Sequence, residues 1–259
     1  MSQAGTALKW RANGARSVGR SLWRTARWNR VQRVPVTFPD ADRVPVIFCT
    51  WRRLERLPGT LSMLAAQDVP VQALIWNNSS DRSAVDKAVA DAQIPAAAYH
   101  SPRNIGGFGR FYLAREAAES GHKAVVFVDD DQDFGPETIG ELLRAHRPKS
   151  VSAWFAFTQA TPSLQSWASP GEQVVYAGTC GMIADSALFT DTRLFGCPRR
   201  YWFLEDLWLS WFARKSGFEV FRSPAQFVEN LDGLNQSLSL GWTRSRLVRY
   251  LERKNWQAS

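Results

Sequence analysis

The apolar run Val125-Val126-Phe127-Val128 ends directly in three consecutive carboxylates, Asp129, Asp130 and Asp131. A short β-branched run of this kind reads as a buried strand, and the carboxyl end of such a strand is where open α/β sheets present ligand-binding groups. Three adjacent acids repel one another and raise each other's pKa unless a cation or solvent compensates them. A divalent metal is the economical compensation. Mg2+ and Mn2+ take oxygen ligands and, in phosphate chemistry, are held by one or two carboxylates plus substrate oxygens. The competing reading is a solvated acidic turn.

The segments around this run organise the chain into alternating elements. Val44 to Thr50 reads as a strand, followed by Trp51-Arg52-Arg53 and a helical pattern ending near Gln67. Val71 to Trp76 reads as a second strand, broken by the turn-forming cluster Asn77-Asn78-Ser79-Ser80-Asp81. Ala96 to His100 reads as a third, leading through the loop Asn104 to Arg110 into a helix that runs to about Ser120. Strands alternating with helices of this length predict βαβ units and a mostly parallel sheet, hence an α/β domain.

Two further segments carry candidate chemistry. In the loop, Gly106, Gly107 and Gly109 allow close backbone approach to a ligand, the following helix start suits phosphate, and Arg110 can add charge. By pattern alone a glycine-rich turn is also simply a turn. Later, Glu205 and Asp206 open the run Leu207-Trp208-Leu209-Ser210-Trp211-Phe212-Ala213, apolar almost all round and therefore predicted to be a buried helix. The helix dipole favours a carboxylate there, while partial burial raises its pKa toward the range of a general base. Capping of the helix is the structural alternative, and the two are compatible.

The order of these motifs resembles the family 2 glycosyltransferases of GT-A fold, especially the bacterial branch with galactofuranosyl and rhamnosyl transferases. The resemblance runs over about residues 44 to 222 and rests on Thr50, Asn77-Asn78-Ser79, Asn104-Ile105-Gly106-Gly107, Asp129-Asp130-Asp131, Gly178-Thr179-Cys180-Gly181 and Leu204-Glu205-Asp206-Leu207-Trp208-Leu209. It implies a single Rossmann-like catalytic domain of GT-A type and a metal-dependent, inverting transfer of a sugar from a nucleotide-sugar donor to an acceptor hydroxyl. Asp129 and Asp131 match the DxD motif, whose last Asp binds a divalent ion, Mn2+ or Mg2+, that bridges the donor's diphosphate. Thr50, Trp51, Asn77, Asn104, Gly106, Gly107, Arg110, Asp129 and Asp130 become candidate contacts to a nucleotide sugar, with a UDP- or dTDP-sugar expected. Asp206 matches the catalytic base that takes the acceptor's proton, with Glu205 as the fallback. Trp202 and Gly181 are candidate acceptor contacts, Trp202 as a stacking platform for a sugar or, alternatively, as core packing.

The chain departs from the family pattern in two places. Asn77 stands where many relatives have an acidic residue that contacts the base, and an amide can still donate and accept. The three histidines, His100, His122 and His146, all precede the region where GT-A enzymes often supply a third metal ligand.

Charge divides the chain unevenly. Lys9, Arg11, Arg16, Arg20, Arg24, Arg27, Arg30 and Arg33 precede the first acid, Asp40, and they account for the whole net charge of +8. Arg16, Arg20, Arg24 and Arg27 recur at helical spacing, opposite Ala15, Val18, Leu22 and Ala26. An amphipathic helix on an anionic membrane is therefore expected within residues 1–34, near lipid-linked acceptors; a flexible basic tail and a transit peptide are the alternatives. The expected division is a basic arm over 1–40, a catalytic domain over 41–226 and a basic helical tail over 227–259, which packs on the domain or docks to the same surface. Cys49, Cys180 and Cys197 are odd in number and lack CxxC spacing, against a disulfide scaffold or structural zinc. The expected location is cytoplasmic, peripheral at the inner face of the membrane, with no nucleic-acid partner. The rival classes are an Arg/Trp-rich, non-catalytic nucleic-acid-binding protein, a phosphatase and a nucleotidyltransferase. The first leaves the acids unexplained; the other two need an Asp nucleophile or a glycine-rich loop after the first strand, where Cys49-Thr50-Trp51 stands.

Overall fold

The computed structural model describes Val34 and residues 42–161, 166–229 and 240–254; the expected arm, apart from Val34, lies outside the described residues. The apolar runs form strands β1 (Val44–Thr50), β2 (Val71–Asn77), β3 (Ala96–His100) and β4 (Ala124–Phe127). They are interleaved with helices α1 (Leu57–Ala65), α2 (Arg82–Ala90) and α3 (Gly109–Glu119). Beyond them come β5 (Gln132–Asp133), α4 (Thr138–Ala145), β6 (Ser150–Ala153), β7 (Ala156–Phe157), β8 (Tyr176–Ala177) and β9 (Met182–Asp185). The last elements are α5 (Glu205–Lys215), β10 (Glu219–Arg222), β11 (Val228–Glu229) and α6 (Gly241–Arg253).

Seven strands make one sheet in the order β10-β6-β9-β4-β1-β2-β3. All neighbours run parallel except β9, which is antiparallel to both β4 and β6. The expected mostly parallel α/β sheet is therefore present. β11 pairs with β5, and β7 with β8, outside it.

Both faces of the sheet are covered, which explains why the central strands are apolar throughout rather than alternating. Val46 and Phe48 of β1 and Val126 and Val128 at β4 enter one core layer, with Leu57, Leu61, Val85, Ile139 and Leu142 of α1, α2 and α4. Ile47, Trp76, Val125 and Phe127 point the other way, into the layer built by α3 and α5. The turn cluster after β2 is held by side chains: Asn77 Oδ1 accepts from Ser79 N, Ser79 Oγ from Asp81 N, and Asp81 Oδ1 caps α2 at Ala84 N.

The basic carboxy-terminal segment packs on the domain. Leu247 and Leu251 of α6 are buried, Tyr250 lies 5.7 Å from Tyr201, and the Lys254 ammonium sits 4.9 Å from the Trp208 ring. Among the described residues, no helix is long and apolar enough to cross a membrane.

Candidate active site

The strand order reverses at β1: β2 and β3 lie on one side, β4 on the other. A crevice opens at the carboxyl ends of strands that flank such a reversal, and ligands of open α/β sheets bind there. A cleft of about 370 Å³ occupies this place. Its walls come from the end of β1, the loops after β2, β3 and β4, the β8 region, the start of α5, and Arg244 of α6.

The three acids close one end of the cleft, and each is met by an arginine. Arg110 of α3, only 4% exposed, donates to Asp129 Oδ1 at 2.8 Å and to the Thr179 carbonyl at 3.3 Å. Arg53 Nη1 stands 3.2 Å from Asp131 and 3.5 Å from Asp130. Arg56 Nε donates to the Asp130 carbonyl at 3.0 Å. The repulsion that the sequence left uncompensated is thus offset by guanidinium groups from distant segments. Burial still dominates at Asp130, and the Asp129 charge adds to it. Against the pull of Arg53, the carboxyl is pushed up to about 6.

Among the described residues, no three His, Cys, Asp or Glu side chains converge as a metal cage. The donor set fits a different arrangement. Asp129 and Asp131 offer hard carboxylate oxygens at the cleft edge, enough for an ion whose remaining ligands are phosphate oxygens and water.

The opposite wall is the start of α5. Asp206 Oδ1 accepts from Leu207 N at 2.7 Å, and Oδ2 accepts from the Tyr176 hydroxyl. Asp206 is not the N-cap, which is Leu204 without a side-chain cap, but its carboxylate both satisfies a first-turn N–H and lines the cleft. Ser210 ties α5 to β8: its Oγ accepts from Ala177 N, and its one O–H has the Asp206 carbonyl at 2.7 Å and the Ala177 carbonyl at 3.0 Å as acceptors. Burial pushes the Tyr176 phenol up, and the adjacent Asp206 charge pushes it further, so it stays a donor. Glu205, 8% exposed, faces the cleft beside Gly107. Burial and then the Asp206 charge raise its carboxyl, partly countered by Arg110.

Most expected residues line this cleft: Thr50, Trp51, Asn104, Gly106, Gly107, Arg110, Asp129, Asp130, Asp131, Glu205 and Asp206. Three do not. Asn77 is fully buried, with Nδ2 2.9 Å from His100 Nδ1; its neighbour Asn78 faces the cleft instead, because successive side chains of a strand point to opposite faces. Asn78 is held by the loop, its Oδ1 accepting from Trp76 Nε1 and Ile105 N and its Nδ2 donating to the Gly106 carbonyl. Trp202 is 2% exposed and stacks on Phe108 at 5.0 Å, so a sugar cannot reach its face; Phe203 lies in the cleft. Gly181, at φ +75°, abuts Phe227 and serves the turn into β9.

The glycines of the loop also approach the protein itself. A Cβ on Gly106 would meet Phe203, one on Gly107 Glu205, and one on Gly109 Trp76. Sequence reading assigned no site role to Arg53, Tyr176 or Arg244. Only the Arg52-Arg53 pair after β1 carried a signal, and nothing in a buried tyrosine or a tail arginine marks a cleft.

No protein-family model matches the chain, and a search of curated proteins finds no match. Solved structures do. The mannosyltransferase PcManGT from Pyrobaculum calidifontis, in complex with GDP-Man and Mn2+, superposes with a TM-score of 0.57 at 16% identity, over 96% of this chain and 76% of that one. The fold is GT-A-like. S. aureus TarS 1-349 in complex with UDP-GlcNAc gives 0.55 at 15% identity, over 83% of this chain and 68% of that one. The same TarS fragment in complex with UDP gives 0.53 at 16% identity. The chain spans 41% of the longer TarS structure it matches.

Proposed function

We propose that the chain is a glycosyltransferase that moves a sugar from a nucleotide-sugar donor to an acceptor hydroxyl with inversion, as the family 2 resemblance implies. The observation that carries this reading is the cleft at the sheet's reversal, with Asp129 to Asp131 at one end and Glu205-Asp206 on the facing wall. The GT-A-like fold supports it. So do the ligands of the two neighbours, GDP-Man with Mn2+ in PcManGT and UDP-GlcNAc in TarS.

In this reading the donor's diphosphate lies at the aspartate end. Asp131, with Asp129, would hold a divalent ion there, and a bound ion supplies positive charge that stabilises the departing diphosphate. Arg53 and Arg110 place two fixed cations beside the same carboxylates. Asp206 takes the proton of the acceptor hydroxyl as its oxygen attacks the anomeric carbon. The bond from that carbon to the diphosphate breaks with its electron pair leaving on the diphosphate, and a single displacement inverts the centre. Tyr176 and Leu207 N hold the Asp206 carboxylate in place for this step. The acceptor is a glycan, lipid-linked or protein hydroxyl, and the basic residues 1–34 bring the domain to an anionic membrane surface.

The test is a thermal-shift panel of UDP, GDP, dTDP and CMP with Mn2+ or chelator, on wild type and Asp131→Ala. A ligand bound only by the folded state stabilises it in proportion to the logarithm of concentration over Kd. One nucleotide is expected to stabilise wild type in a metal-dependent way and to fail on the variant. Absence of any stabilisation across a concentration series would overturn the reading.

A further inference from the structure

Among the described residues, four arginines line the cleft. Arg110 and Arg53 are paired with Asp129 and Asp131, and Arg52 lies exposed with its guanidinium 4.0 Å from the Trp51 ring. Arg244 of α6 is placed differently. It is half-buried, and among the described residues its guanidinium has neither an ion-pair nor a hydrogen-bond partner; it stands over the Tyr176 ring, 5.7 Å from the centroid.

Packing fixes this cation where it is. Leu247 and Leu251 seat α6 on the domain, and the amino-terminal end of the helix brings Arg244 into the cleft wall. That end is an unfavourable place for a cation, because the helix dipole puts partial positive charge there. Leu240 at the start of α6 provides no side-chain cap, and no acid stands in the first turn. A half-buried cation without a counter-charge, set at a helix amino terminus, costs stability that an anionic ligand would offset.

The position says which ligand this can be. Tyr176, beneath Arg244, donates its hydroxyl to Asp206, so Arg244 belongs to the Asp206 end of the cleft. The aspartate end, where the donor's diphosphate is placed above, has its own guanidiniums in Arg53 and Arg110. A guanidinium only donates hydrogen bonds, in a planar fork that matches a phosphate or a carboxylate and makes less use of a neutral hydroxyl.

We propose that Arg244 recognises the acceptor through an anionic group, a phosphate or a carboxylate, carried close to the hydroxyl that Asp206 deprotonates. The acceptor is then an anionic molecule and not a neutral glycan. This rests on the glycosyltransferase reading and narrows its acceptor class.

The test saturates wild type, Arg244→Gln and Arg244→Lys with the stabilising nucleoside diphosphate and Mn2+. Glycerol 3-phosphate, glycerate and glycerol are then titrated, and Kd is read from the rise in melting temperature with concentration. Wild type is expected to bind one of the two anions about tenfold more tightly than glycerol, and Arg244→Gln to lose that preference while keeping its Kd for the nucleoside diphosphate. Arg244→Lys, which keeps the charge without the fork, falls between them. Tighter binding of glycerol 3-phosphate names a phosphate, and tighter binding of glycerate a carboxylate. Without ligand the Gln variant should melt no lower than wild type, since Arg244 has no counter-charge to lose, so that loss of the anion is not loss of the fold. Equal anion binding by wild type and Arg244→Gln overturns the assignment, as does a wild type that prefers neither anion to glycerol. A Gln variant that binds the nucleoside diphosphate more weakly moves Arg244 to the donor and overturns it as well. All three results leave the transferase reading standing. If wild type binds no nucleoside diphosphate, that reading fails and takes the acceptor role with it.

Discussion

Replacing Gly107 by alanine perturbs a single contact whose geometry is known. The added Cβ would lie 1.7 Å from Oε1, 2.4 Å from Cδ and 3.0 Å from Oε2 of Glu205. Ordinary carbon contacts need about 3.5 Å, so the carboxyl must retreat by well over an ångström or the loop must lift. The clashing atoms are the end of the Glu205 side chain, but that side chain is itself buried in the cleft wall, so a new rotamer must displace its neighbours. Overpacking of this kind costs about 1–3 kcal/mol, and a displacement of about 1 Å in a reacting site costs about 100-fold in rate. Urea denaturation and diphosphate release measure the two effects. The Gly107→Ala, Glu205→Ala double variant separates the cause: with the carboxyl gone, the stability penalty of the alanine should vanish, giving a coupling energy of about 1–3 kcal/mol. The reasoning would be refuted if Gly107→Ala matched wild type in both assays, or if its penalty persisted undiminished without the Glu205 side chain.

Asp130→Asn should make the protein more stable at pH 8, by about 1–3 kcal/mol, and nearly neutral at pH 4. The sign follows from the raised carboxyl. Its stabilising protonated form is full below the unfolded-state value and lost as pH rises to about 6, so a neutral amide avoids the loss. Melting temperatures at the two pH values check this, and an equal shift at both would refute it. Arg110→Gln should destabilise the fold by about 2–4 kcal/mol in urea, because it removes a buried guanidinium from Asp129 and the Thr179 carbonyl; a change below about 0.5 kcal/mol would count against a structural role for this pair.

The strands, and the loops that carry the chemistry, were legible in the chain because they depend on local pattern. Val44 to Thr50 and Ala96 to His100 are strands over the residues their composition marks, and the sheet order puts their ends at the crevice where the acids emerge. Glu205 and Asp206 open a helix because the run behind them is apolar almost all round, and its residues Leu207 to Ala213 are all buried. The same pattern could not tell Asn77 from Asn78. The difference is one step of strand alternation, decided by where β2 stops pairing with β1.

What only the tertiary structure decided is how the groups compensate one another. Whether Asp129 to Asp131 need a metal or already have counter-charges depends on Arg53 and Arg110, which come to them from α3 and the segment after β1. Trp202 is excluded from the cleft because Phe108, far away in sequence, covers its face. Tyr176 meets Asp206 where α5 packs on β8, a contact that Ser210 also bridges. Periodicity and turn chemistry act between near neighbours and so are written in the sequence. Charge pairing, stacking and burial act between segments that packing alone brings together, so the final composition of the cleft belongs to the fold.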